Sequence, residues 1–97
     1  MAEDIIKTVR EKLGELTDEE TTRRFKELNI IADVAEAPGG ILKVRFTPLS
    51  PYSPIAVDIG RMIRTAALSV VGVTKVAVEC SGHMSDDLVN RLVNKED

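Results

Sequence analysis

Apolar residues recur along this chain with two different periods, and the places where the period changes divide it into seven expected elements. Ile5, Val9, Leu13 and Leu16 follow one another at spacings of four, four and three, with Lys7, Arg10, Glu11 and Glu15 between them. That repeat belongs to an amphipathic helix with one face in a core. Thr17 then stands before Asp18, Glu19 and Glu20 as an N-cap followed by acids, which favour the positive end of a helix dipole. A second short helix is expected over residues 18–27.

The period then shortens. Residues 29–35 are rich in β-formers, residues 37–40 read Ala-Pro-Gly-Gly, and beyond them Leu42, Val44 and Phe46 alternate with Lys43 and Arg45. Two strands joined by a tight turn, with one wet face, are the expected hairpin. The segment Thr47–Pro54 carries three of the four prolines, which have no backbone donor, so regular pairing stops there. Ser53 before Pro54 is the pairing expected at an N-cap and first helical position. A third helix follows, with Ile55, Ile59, Met62, Ile63, Ala66, Ala67 and Val70 in one stripe and Gly72 as its stop. Val73–Cys80 alternates again, and Ser85 before Asp86 and Asp87 opens a terminal helix. Strand, helix and strand in this order make a right-handed crossover, so the last strand is expected parallel to the second. The expected fold is α/β of the α+β kind: a three-stranded mixed sheet with helices packed on it, in the order ααββαβα, as a single domain over residues 1–97.

Composition narrows the function more than the fold. Phe25, Phe46 and Tyr52 are the only aromatic residues, and the net charge is −3, so neither base-stacking platforms nor a basic footprint for nucleic acid is present. No apolar run approaches the roughly 20 residues a membrane crossing needs. The first sixteen residues mix both charge signs into the apolar positions, unlike a signal peptide, and Cys80 is the one cysteine. Cytoplasmic location is expected, with no nucleic acid and no membrane as partner.

The side chains that carry chemistry are few. Thr47, Ser50, Tyr52 and Ser53 sit between the end of a strand and the start of a helix, where free N–H groups receive a ligand or partner; capping by Ser53 and stiffening by proline is the plainer reading. Cys80 and His83 form a Cys-x-x-His pair, and two such pairs from a symmetric dimer would supply four ligands to zinc. The other reading is a buried small hydrophobe beside a loop histidine. Asp18, Glu19, Glu20, Asp86 and Asp87 fit helix first turns. Arg61 and Arg64 lie three apart on the wet side of the central helix, as a solvated face or as a contact for an acidic partner. No third group orients a Cys80/His83 nucleophilic pair, so no catalytic residue is assigned and the chain is expected not to be an enzyme.

The ordered motifs resemble the small metal–sulfur (iron–sulfur) cluster assembly domains, the family of the phenylacetate-degradation D-type proteins and the cytosolic iron–sulfur targeting factors. Asp18-Glu19-Glu20, followed after the family's spacing by Leu28-Asn29-Ile30-Ile31, resembles its opening motif. The loop Thr47–Pro54 has the length of its proline-rich loop, Gly72–Glu79 resembles its Gly-Val strand, and His83–Leu88 its ending, with Met84 where tryptophan is usual. The likeness spans residues 5 to about 90. It implies a non-enzymatic accessory domain that docks through the loop to a protein partner, an assembly factor or an iron–sulfur client. It also implies a loop cysteine facing iron or a cluster, since thiolate is the soft ligand such sites use. That cysteine is replaced by Ser53 here, and a hydroxyl gives up its proton far less readily. Iron, an iron–sulfur cluster and zinc are the cofactors to test. The alternative function is a structural homodimer, bridged by metal through Cys80 and His83, and a third is an enzyme acting on a small anion at the helix N-terminus.

Overall fold

The computed structural model describes residues 3–95. Helix α1 spans Glu3–Gly14, α2 Phe25–Leu28, β1 Ile31–Ala37, β2 Ile41–Phe46, α3 Ala56–Leu68, β3 Val76–Cys80 and α4 Asp86–Val93. This is the expected order ααββαβα. The sheet runs β1-β2-β3, with β2 antiparallel to β1 and parallel to β3. Its central row places Val44 between Val34 and Val78.

The alternation along β2 separates two environments. Leu42, Val44 and Phe46 are buried, and Lys43 and Arg45 are exposed. Helices α1, α3 and α4 cover the apolar side, where Val9, Leu13, Ile59, Ile63, Ala67, Val89 and Val93 meet the strand residues in one cluster. Each fully buried side chain of this size contributes about 1.5–3 kcal/mol of transfer free energy. On the other side Lys43 pairs with Glu79 across the parallel ladder at 2.8 Å, so that face stays wet, as alternation predicts. No helix among the described residues is long and apolar enough to cross a membrane.

Four local expectations need correction. Residues 18–24 are not helical; α2 is a single turn beginning at Phe25. The Asp18 side chain takes the Thr21 N–H and hydroxyl at 2.9 and 2.8 Å, while its backbone bonds Arg23 and Thr22 at 2.8 Å each. Those bonds fold 18–23 into a closed loop, and Thr22 at φ +59° takes a conformation no right-handed helix contains. Asp18 caps a turn instead of a helix, and it is only 1% exposed. Phe25 is fully buried, and its N–H is bound to Leu16 at 2.8 Å, so tertiary packing sets where α2 begins.

Second, Ser53 and Pro54 do not open α3. The N-cap residue is Ile55, with no side-chain cap bond, and Ser53 and Pro54 belong to the preceding turn. Third, β3 starts at Val76, because Val73 bonds back to Val70 at 3.1 Å within the turn that leaves α3. Gly72 lies in that turn at φ +97°, beyond the helix end at Leu68. Fourth, Ser85 occupies the N-cap position of α4 but makes no side-chain cap bond; Asp86 reaches back to the preceding loop instead.

Candidate functional site

Parallel strands β2 and β3 end side by side, and the chain leaves each into an irregular loop, residues 47–55 after β2 and 81–85 after β3. The outer end of a parallel pair is where α/β sheets place ligands, because helix starts and free backbone groups converge there. Here two hydrogen bonds join the loops, and a third ties the second loop to the end of β2. Ser81 N–H donates to Phe46 O at 2.9 Å, Met84 N–H to Pro51 O at 2.9 Å, and the His83 ring to Ser53 O at 3.0 Å. Gly82, at φ +102°, lies against the Thr47 methyl, so close that an added Cβ would stand 3.1 Å from it. Only glycine takes both that backbone conformation and that approach without strain.

His83 is the clamp of this junction. Its Nδ1 accepts the Ser85 N–H at 3.0 Å, which leaves the proton on Nε2 to be donated to Ser53 O. Both ring nitrogens are therefore occupied by the fold. Its backbone N–H and that of Gly82 donate to the two oxygens of Asp86 at 2.7 and 3.2 Å. Burial pushes the Asp86 carboxyl upward, but these N–H groups, the Cys80 thiol and the nearby His83 ring outweigh it and hold the group below its usual range.

Cys80, the residue that ends β3, is 2% exposed. Burial first, then the hydrogen bond and charge of Asp86, push its thiol from 9.0 to about 12, against a smaller opposing pull from the His83 N–H. A thiol held protonated is neither a nucleophile nor a ready metal ligand near neutral pH. Since the folded value lies above 9.0, the stabilisation is fully present below pH 9 and lost as pH rises toward 12. The stability advantage of wild type over Cys80→Ala is accordingly expected to shrink when urea midpoints are followed from about pH 8 to about 10.5. A difference independent of pH over that range would show that the thiol does not carry the shift.

The sequence-predicted loop residues Thr47, Ser50 and Tyr52 are exposed and Ser53 is half-buried. Their roles differ: Ser50 Oγ receives the Tyr52 N–H at 3.1 Å and shapes the turn, Ser53 offers its carbonyl to His83, and the Tyr52 ring projects outward at 72% exposure. Cys80 and His83 lie at the same strand end, yet the thiol faces the core and Asp86 while the imidazole faces Ser53. Among the described residues no group of three or more His, Cys, Asp or Glu side chains is placed to hold a metal ion. The donors at hand, a hydroxyl-bearing Ser53, a protonated Cys80 and a fully bonded His83, do not fit iron, a cluster or zinc.

Of the apolar half of this surface, sequence reasoning singled out Tyr52 as a site residue but not Leu49, Met84 or Leu88. Leu49, Tyr52, Met84 and Leu88 are 48%, 72%, 70% and 45% exposed, and all belong to the two joined loops or the first turn of α4. The signal was present in Met84 and Leu88 at i and i+4, but that spacing also describes a buried helix face.

A three-stranded mixed sheet covered on one face by helices, with two loops tied at the end of its parallel pair, defines the class of this domain. A crystal structure described as a domain of unknown function, DUF59, from Bacillus anthracis is similar to it. The TM-score is 0.73, with 18% sequence identity over 94% of this chain and 89% of that chain. The likeness is one of fold. No family model matches the sequence, and no curated protein does.

Proposed function

We propose that this chain is a non-enzymatic docking domain of the iron–sulfur assembly type, working in the cytoplasm, and that it captures an assembly factor or client protein on the surface formed by residues 47–55 and 81–88. The observation that carries this reading is the pair of side chains Tyr52 and Met84, both exposed by 70% or more on loops that are hydrogen-bonded to each other. Tyrosine and methionine are enriched in interface cores, and methionine adapts to irregular surfaces. Loops already tied together lose less conformational entropy when a partner binds. The resemblance in motif order and the likeness of fold support the type of domain. Docking, unlike cluster ligation, does not depend on a thiolate at Ser53.

The test places a photo-crosslinking amino acid at Tyr52, and separately at Lys43 on the wet sheet face, in cells of the source organism. One protein crosslinked from Tyr52 and absent from Lys43 is expected. Its affinity for the purified domain should fall about tenfold or more in Met84→Ala, as for an interface anchor. The same products from both positions would remove the loop surface as the docking site. Self-crosslinks from Tyr52, with a dimeric mass that Tyr52→Ala returns to monomer, would favour the homodimer instead.

A further inference from the structure

We propose that the face of α1 carrying Asp4, Thr8 and Lys12, together with the turn that leaves α3, docks on the same face of a second copy of this chain. Val71, in that turn, is 93% exposed, more than any other large apolar side chain among the described residues. A single exposed apolar residue is ordinary on a protein surface. This one stands beside a hollow of about 350 Å³ lined by Asp4, Ile5, Thr8, Lys12, Val70 and Val71 itself. A knob next to a hole on one surface suits a two-fold contact, in which each copy presents its knob to the other's hole. The turn holds the knob in place. Gly72, at φ +97°, brings the chain so close to α1 that an added Cβ would stand 2.7 Å from Ile5 Cδ1. The Val73 N–H donates to Val70 O at 3.1 Å and Lys12 Nζ to Ser69 Oγ, so the turn is tied both within itself and to α1. Little conformational entropy is then lost when a partner docks on it.

The charges select the occupant. Asp4, Thr8 and Lys12 are i, i+4 and i+8 on α1, one stripe along the helix with the acid near its start and the base two turns on. Antiparallel packing about a two-fold axis at Thr8 sets Asp4 opposite the partner's Lys12 and Lys12 opposite the partner's Asp4. It also opposes the two helix dipoles. Parallel packing would bring like charges together. An unrelated protein needs a matching pattern of its own, whereas a second copy carries it by symmetry. Exposed ion pairs add about 0.2–1 kcal/mol each, so they set orientation while Ile5, Val70 and Val71 supply the apolar contact. A seam on one 12-residue helix, about 18 Å long, belongs at the weak end of specific interfaces. It lies at the far end of α3 from the loop of residues 47–55, roughly 20 Å away along that 13-residue helix. The two surfaces are independent, and either reading survives the failure of the other.

Sedimentation equilibrium of the full-length protein, from about 10 μM to about 1 mM, measures the association. A monomer–dimer equilibrium with Kd at or below about 100 μM, weakened severalfold in about 1 M salt, is expected. Val71→Glu should raise Kd about tenfold or more with an unchanged urea midpoint, because a side chain 93% exposed contributes little to the monomer's own stability. Thr8→Cys tests the position of the axis. Under mild oxidation it should form an interchain disulfide that Val71→Glu suppresses, while Glu27→Cys, exposed on α2, should form none. The natural Cys80 is buried and does not compete. A monomeric mass over the whole range overturns the proposal, as does a dimer that Val71→Glu leaves intact or that Thr8→Cys fails to link. A dimer lost in Tyr52→Ala instead would assign self-association to the loops, which also overturns it.

Discussion

Asn94→Ala is expected to cost about 2–4 kcal/mol, a large share of the 5–15 kcal/mol that holds a typical domain of this size. Strand β3 lies at the edge of the sheet, where its outward N–H and C=O groups have no strand to pair with. Asn94 takes the place of that strand. Its Oδ1 accepts the Val78 N–H at 2.8 Å and its Nδ2 donates to Val78 O at 2.7 Å, so one amide matches both groups of one strand residue. One turn earlier, Asn90 Oδ1 accepts the Cys80 N–H in the same way. Alanine at position 94 leaves two part-buried backbone groups unpaired, each costing about 1–3 kcal/mol. Asn94→Asp separates this account from simple loss of packing. It retains an acceptor for the N–H but turns a second oxygen toward Val78 O, so it should be at least as destabilising as alanine. Urea midpoints measure both variants, and amide exchange at Val78 should rise in each. A loss under about 0.5 kcal/mol for Asn94→Ala would mean that water replaces the amide and that the edge does not need it.

Gly60→Ala comes next, with an expected loss of up to about 2 kcal/mol despite the better helix propensity of alanine. A Cβ at position 60 would stand 2.5 and 3.1 Å from the two Val93 methyls and 3.3 Å from the Phe46 ring. The first distance is far inside van der Waals contact, and Val93 and Phe46 are 2% and 0% exposed with little room to move. Overpacking of this kind costs about 1–3 kcal/mol, and the gain from replacing glycine inside a helix returns about 1 kcal/mol. A double-mutant cycle decides whether the close approach is the cause. In a Val93→Ala background the clash disappears, and Gly60→Ala should become neutral or stabilising. If the alanine costs the same in both backgrounds, the strain lies elsewhere in α3.

These residues mark the boundary of what periodicity reveals. Leu42, Val44 and Phe46 announced β2 because a strand with one buried face must alternate, and the structure buries all three. The stripe through Ile59, Ile63 and Ala67 announced α3 for the corresponding helical reason. Thr17 was read as an N-cap and Asp18 as an acid of the first helical turn, but a carboxylate there can close a turn as well as face a helix dipole; the buried Phe25 and the left-handed Thr22 selected the turn. Ser53 carried an N-cap signature, yet its carbonyl went to His83, 30 residues further along. Its neighbour Tyr52 and the distant Met84 looked unrelated until the Met84–Pro51 bond brought their loops together.

Element types, their order and the parallel pairing of β2 with β3 are thus written locally, in hydrophobic period, turn residues and the handedness of the crossover. Each depends on which side of a helix or strand meets the core, a property of neighbours within a few positions. Helix starts, the fate of polar side chains and the candidate site are decided through space. Asn94 on Val78 and His83 on Ser53 satisfy groups that lie far apart along the chain. No period records those pairings, because a buried donor or a crowded charge is answered by whichever residue the packed fold brings within reach.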